Sequence, residues 1–243
     1  MTDEHIVKSF DQDLRTLHGM IAEMGGLAEV QLEESIKAMV RRDAEKAARI
    51  VAGDKRIDDI ELEMSKRATQ MIAMRQPMAD DLRAIIVAIK VSSILERIGD
   101  YGKNVAKRVV ALSKTSPLSA AQTIAHMGAL VQVMIKDVLD AYIAGDADKA
   151  DDVRLKDEEV DALHTSLFRE LITYMMEDPR NITAATHLLF IAKNIERIGD
   201  HVTNIAENVH FLVHGKLPDD ERPKGDTSSY TVVAPSSALS ADG

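Results

Sequence analysis

An all-α protein of two tandem three-helix bundles, six long helices in all, is predicted by three features of this 243-residue sequence. The segment Leu95-Glu96-Arg97-Ile98-Gly99-Asp100-Tyr101-Gly102-Lys103-Asn104-Val105-Ala106 returns one hundred residues later as Ile195-Glu196-Arg197-Ile198-Gly199-Asp200-His201-Val202-Thr203-Asn204-Ile205-Ala206, with seven of twelve positions identical. Such self-similarity marks an internal duplication. Hydrophobic residues make up 45% of the chain but aromatic ones only 3%, so the core is aliphatic, as in packed helices rather than a sandwich or barrel. Only Pro77, Pro117 and Pro179 interrupt the first 216 residues, each beside polar residues where a helix is expected to stop.

Taken in order, the helices are expected at 4–42, 44–74 and 80–113, then at 119–144, 147–176 and 181–214, joined by the short connections of antiparallel neighbours. Asp80 or Asp81 and Asn181 are natural N-caps for the two motif-bearing helices, since their side-chain oxygens can accept from the first free backbone N–H groups. Asp43-Ala44-Glu45-Lys46-Ala47 matches Asp146-Ala147-Asp148-Lys149-Ala150 at an offset of 103, which extends the duplication to the second helix of each unit. Val87, Val91, Ile94, Ile98, Tyr101, Val105 and Val109 recur at spacings of three and four, an apolar stripe able to pack on two partners. The second copy keeps Ile191, Ile198, Ile205 and Val209 in register. The repeats are therefore bounded as 1–115 and 116–215. Residues 216–243 hold three of the six prolines and no helical periodicity, so they are expected to form a disordered C-terminal tail without a structural role.

Charge narrows the partners. Thirty basic and 40 acidic side chains give a formal net charge of −10, which opposes capture of nucleic acid or anionic lipid and argues against a direct phosphate pocket. Proteins or cations are the expected partners. The chain has no cysteine, which excludes disulfides, thiolate metal sites and cysteine nucleophiles. The N-terminal residues carry no signal-type apolar stretch and no later run reaches eighteen apolar residues, so a cytoplasmic location without membrane insertion is expected.

The candidate chemistry lies in paired carboxylates. Glu96 with Asp100, and Glu196 with Asp200, are spaced to share one helix face; Asp54 with Asp58, and Asp157 with Asp161, repeat the pattern on the preceding helices. Like charges at this spacing cost roughly 0.2–0.5 kcal/mol per pair, a cost that a bound cation would offset. One such pair is ordinarily a solvated face. Recurrence in register on two adjacent helices of both units favours a metal site. Glu96 and Asp100 lie roughly opposite Ile98 and Ile94, which predicts an open site near the surface. All-oxygen donors favour Mg²⁺, Mn²⁺, Ca²⁺ or iron over zinc or copper.

Neighbouring residues keep two readings each. Asn104 and Asn204 extend the acidic face by a turn, as ligands, as residues supporting the ligands, or as plain surface amides. Arg97 and Arg197 orient or partly neutralise carboxylates, in a structural or a functional role. His164, where the first copy has Glu61, and His201, beside Asp200, are either nitrogen donors or ordinary surface histidines. Gly99 and Gly199 each cost their helix about 1 kcal/mol relative to alanine, which points to a close approach by a neighbouring helix or an ion.

With its six helices and its doubled Glu-Arg-Ile-Gly-Asp segment, the sequence up to about residue 215 resembles the PhoU family, the accessory regulators of phosphate-specific uptake. The resemblance implies one metal site at Asp54, Asp58, Glu96 and Asp100 and another at Asp157, Asp161, Glu196 and Asp200, filled by Mg, Mn or Fe. It also implies a cytoplasmic negative regulator of the phosphate-starvation response, linking the ATPase subunit of a phosphate ABC importer to a sensor histidine kinase. No enzymatic activity is expected, because no phosphate-cradling glycine loop, serine triad order or thiol occurs. Large aliphatic faces suit a homodimer. Two other readings stand beside this one: a metal-independent helical scaffold, and a carboxylate-bridged metal oxidase. The oxidase requires Glu-x-x-His on each of two core-facing helices, and the sequence does not supply that pair of motifs.

Overall fold

A computed structural model describes residues 2–53, 55–219, 226 and 228–232, with side chains from Phe10 onward. Its helices are α1 (Thr2–Arg41), α2 (Ala44–Gly53), α3 (Lys55–Arg75), α4 (Ala79–Leu112), α5 (Ala120–Ala144), α6 (Ala147–Glu177) and α7 (Ile182–His214). Together α2 and α3 take the place in the first unit that α6 takes in the second. The architecture is thus all-α, two three-helix bundles in tandem, and no strand occurs among the described residues.

The two bundles share one core. α1 packs on α4, α4 on α7, α7 on α5 and α5 back on α1, which makes a central four-helix layer flanked by α2 and α3 on one side and α6 on the other. The repeated stripe explains this layer. Val87, Val91, Ile98, Val105 and Val109 are buried, as are Ile191, Ile198, Ile205 and Val209, while Ile94 and Tyr101 are only partly covered.

Contacts across the layer reveal a pseudo-twofold relation. Tyr101 and His201, equivalent positions of the repeat, stack on each other with ring centroids 5.5 Å apart. On either side, Lys90 lies over Phe211 and Arg108 over Phe190, so α4 and α7 run antiparallel about that stack. α1 and α5 obey the same symmetry. A Cβ on Gly25 would strike the Leu139 side chain, and one on Gly128, its equivalent, would strike Ile36, the equivalent of Leu139. Small residues here let two long helices seat a large aliphatic group from each other, the close packing that protein cores require.

Helix ends correct part of the expectation. Asp80 and Asp81 lie inside the first turn of α4, whose N-cap is Met78; they complement the helix dipole rather than cap it. Asn181 does hold the N-cap position of α7 without a side-chain cap, because its amide donates back to the Tyr174 carbonyl at 3.3 Å. The caps belong instead to the repeated Asp43 and Asp146. Their carboxylates accept from the backbone N–H of Lys46 at 2.8 Å and of Lys149 at 3.0 Å, which gives the second repeated segment its physical reason.

Candidate functional site

In the first unit the acidic residues lie along the α3/α4 surface. Asp58 on α3 and Asp100 on α4 are exposed and Glu96 is half-buried; Asp54 lies outside the described residues. Glu96 has its carboxyl pKa raised, first by burial and then by the charges of Asp100, Asp58 and Glu61, with Arg97 opposing. The repulsion anticipated from the spacing is therefore present. Lys103 offers partial relief, its ammonium 3.5 Å from the Asp100 carboxylate. Gly99 permits the helix contact: a Cβ there would lie 2.8 Å from Ile57 Cδ1.

The second unit is arranged differently. Asp157, Asp161 and Glu196 are 1%, 2% and 4% exposed, so the expectation of a surface site fails here. Two groups account for the burial. Lys193 places its ammonium 2.7 Å from Glu196 Oε1 and 3.1 Å from Asp226 Oδ2. Asp226 comes from the segment expected to be a tail without structure. Its backbone N–H donates to Asp161 Oδ2 at 3.1 Å, and its Oδ1 accepts from Thr165 Oγ1 at 3.4 Å and from the Ser228 N–H at 2.9 Å. The expectation that this segment has no structural role therefore does not hold at Asp226, nor at the short 3₁₀ turn Ser228–Tyr230 that packs on α6. Gly199 completes the closure, since a Cβ there would fall 2.5 Å from Asp157 Oδ1.

Electrostatics follow this closure. Burial pushes the Glu196 carboxyl up to about 7 against the pull of Lys193, and its Oε2 is buried with no hydrogen-bond partner among the described residues. Burial also acts on Asp226, yet hydrogen bonds from Ser228 and Lys193 hold its carboxyl well below the usual carboxylate range. His164, 3% exposed, has its imidazole pKa lowered chiefly by burial, against the charge of Asp226, whose Oδ1 lies 3.4 Å from Nδ1. Sequence reasoning missed Lys193 and Asp226. The signal for Lys193 was the repeat itself, which has Ser93 at the equivalent position; nothing in the sequence singled out Asp226.

Comparison with known proteins decides the family. The PhoU domain family matches residues 21–109 and 124–209. The chain belongs to the PhoU family. It is 50% identical over 230 residues to a phosphate-specific transport system accessory protein PhoU homolog of Rhizobium meliloti (strain 1021), covering 94% of this chain and 97% of that one. A homolog from Caulobacter vibrioides (strain NA1000 / CB15N) is 50% identical over 93% of this chain and 99% of its own. Among solved structures, PhoU from Pseudomonas aeruginosa superposes with a TM-score of 0.82 at 38% identity, covering 85% of this chain and all of that one. The phosphate transport system regulatory protein PhoU from Streptococcus pneumoniae gives 0.81 at 30% identity, over 86% and 99%.

The residues of both acidic clusters fit, in donor type, the metal that the resemblance implies. Both clusters offer carboxylate oxygens suited to a hard cation, Glu196 has an unsatisfied oxygen, and Gly199 removes the side chain that would block Asp157. Among the described residues, however, no three acidic or histidine groups converge closely enough to hold an ion as they stand. The remaining candidates are dispersed. Asn104 and Arg197 turn to a groove between α4 and α7, Asn204 is exposed, Arg97 acts on Glu96 through its charge, and His201 stacks on Tyr101. The single Glu-x-x-His spacing, Glu207 with His210, also lies on α7, where His210 meets Asp151 at 3.3 Å. No helix among the described residues is long and apolar enough to cross a membrane.

Proposed function

We propose that this protein is an accessory regulator of phosphate-specific transport, a non-enzymatic helical adaptor in the cytoplasm that restrains the phosphate-starvation response. What supports this reading is membership of a family whose curated relatives are phosphate transport accessory proteins, joined to acidic clusters that recur in both units. The adaptor contacts the ATPase subunit of a phosphate ABC importer with one face and a sensor histidine kinase with another, as a homodimer. Importer state then biases the kinase through differential binding.

The metal part of this reading rests on the pair of acidic clusters beside the equivalent helix contacts of Gly99 and Gly199. Asp58, Glu96 and Asp100 would hold a divalent cation or iron ion in the first unit, with Asp54 from outside the described residues. Asp157, Asp161, Glu196 and Asp200 would do so in the second once Lys193 and Asp226 give way. A bound ion would neutralise the carboxylates and tie adjacent helices together. Chelator-free purification tests this, with metal content and capture of the purified ATPase subunit and kinase measured for the wild type and for Asp58→Asn/Asp100→Asn/Asp161→Asn/Asp200→Asn. Loss of metal and of partner capture in a folded variant is expected. Full capture by a metal-free variant would instead establish the metal-independent scaffold.

A further inference from the structure

The acidic average of the chain conceals a basic groove. Between α4 and α7 lies a concavity of about 550 Å³ whose wall carries Lys107, Arg108, Lys193 and Arg197. Lys193 is engaged by Glu196 and Asp226, but Lys107, Arg108 and Arg197 form no ion pair with a carboxylate among the described residues. Arg108 sits 4.0 Å over the Phe190 ring, and burial lowers its pKa. His187 faces the same space; burial and the Arg108 charge both lower its pKa, and its Nδ1 is buried without a hydrogen-bond partner among the described residues. Cations gathered in a partly desolvated groove repel one another and are stabilised when an anion joins them.

The duplication supplies an internal control. At the positions that the repeat makes equivalent to Lys107, Arg108 and Lys193, the other unit has Glu207, Asn208 and Ser93, while Arg197 is matched by Arg97 and Phe190 by Lys90. Both faces of the α4/α7 contact belong to one pseudo-symmetric scaffold, so helix packing does not demand Lys107, Arg108 and Lys193. Their concentration on one side needs a reason outside the fold. Net charge argued against a phosphate pocket only as an average over the whole surface, whereas recognition depends on the local field.

We propose that this groove binds a small anion carrying phosphate groups, with Lys107, Arg108 and Arg197 as its charge partners. Two guanidinium forks and an ammonium match the several oxygens of a phosphate better than the two of a carboxylate. The volume lies in the range of small-molecule sites and admits either free phosphate or the phosphates of a nucleotide, whose base would find an aromatic wall in Phe190. The groove adjoins the second acidic cluster through Lys193, but among the described residues the three proposed charge partners form no ion pair with that cluster.

Calorimetric titration of the full chain tests this in about 150 mM NaCl, where weak surface attraction is screened, with chelator present. The probes are inorganic phosphate, pyrophosphate and ATP, with sulfate as control. One saturable site per chain is expected, and Lys107→Glu/Arg108→Asn, which copies the other unit, should weaken it roughly tenfold or more, as loss of charged hydrogen bonds implies. If that variant melts with a lower midpoint than the wild type, Arg197→Gln, at an exposed position, serves in its place. Binding of all three phosphate probes identifies the phosphate group itself as the ligand, and binding of ATP alone identifies a nucleotide. Absence of saturable binding by any probe, sulfate binding as tightly as the phosphates, or unchanged affinity in a folded variant would overturn the proposal.

Discussion

The acidic cluster of the first unit and that of the second descend from the same repeated positions, yet one faces solvent and the other is shut. Asp58 and Asp100 are exposed, while Asp157, Asp161 and Glu196 are buried. Two changes outside the shared motif account for this. Lysine stands at position 193 where the first unit has Ser93, and Asp226 arrives from beyond the repeat to bind Asp161, Thr165 and Lys193. Carboxylates can therefore be neutralised by an ion from outside or by an ammonium from within. The duplication has kept the acids and given one copy the internal solution.

Substituting Lys193→Ser to copy the first unit should give the largest effect. It leaves the Glu196 and Asp226 carboxylates without their ammonium, and breaking one partner of a buried pair is strongly destabilising. Because Lys193 is 37% exposed at its side chain, the cost should be about 2 kcal/mol, below the fully buried limit. Urea unfolding checks it, and an unchanged midpoint would mean that Lys193 does not hold the second cluster shut.

The paired glycines should respond unequally. Gly199→Ala drives a Cβ into Asp157 Oδ1, inside a buried cluster, and should destabilise by about 1–2 kcal/mol even after the helix-propensity gain. Gly99→Ala meets only the end of the flexible Ile57 side chain and should fall within about 0.5 kcal/mol of the wild type. Equal effects on thermal melting would erase the distinction between the two helix contacts.

A smaller difference concerns acid stability. His18 in α1 packs edge-on against Tyr142 with ring centroids 5.3 Å apart, and burial lowers its pKa; the second unit has Ala121 at the equivalent position. The folded state binds a proton on this histidine less readily than the unfolded chain does, so below about pH 6.5 stability falls as pH drops. His18→Leu should remove that part of the acid loss, visible as a shallower decline of melting temperature between neutral pH and pH 5. A parallel decline in both proteins would assign the loss to other groups.

The fold was legible because its determinants are local and repeated. Stripes such as Val87, Val91 and Ile98 report helix periodicity directly, and the duplicated segment fixes the number of units. The acidic residues were legible for the same reason. Their environments were not: a spacing of four places Glu196 and Asp200 on one face without revealing what covers that face. Asp226 lies in a stretch with no periodicity, and its role arises from three contacts distant in sequence. The basic groove was hidden further, since Lys107 and Arg197 meet only through the antiparallel crossing of α4 and α7. Helix caps were misread where Asp80 and Asp81 offered good capping chemistry two and three residues past the N-cap, Met78.

The inequality of the two clusters is tested most directly by titrating Mn²⁺ into chelator-stripped protein and following bound metal by electron paramagnetic resonance. The wild type is compared with Asp58→Asn/Asp100→Asn and with Asp161→Asn/Asp200→Asn. The tighter binding step should vanish in the first-unit variant and persist in the second-unit variant, because only the first cluster is open to an incoming ion. Loss of that step from the second-unit variant, or equal loss from both, would contradict the assignment of an open and a closed site.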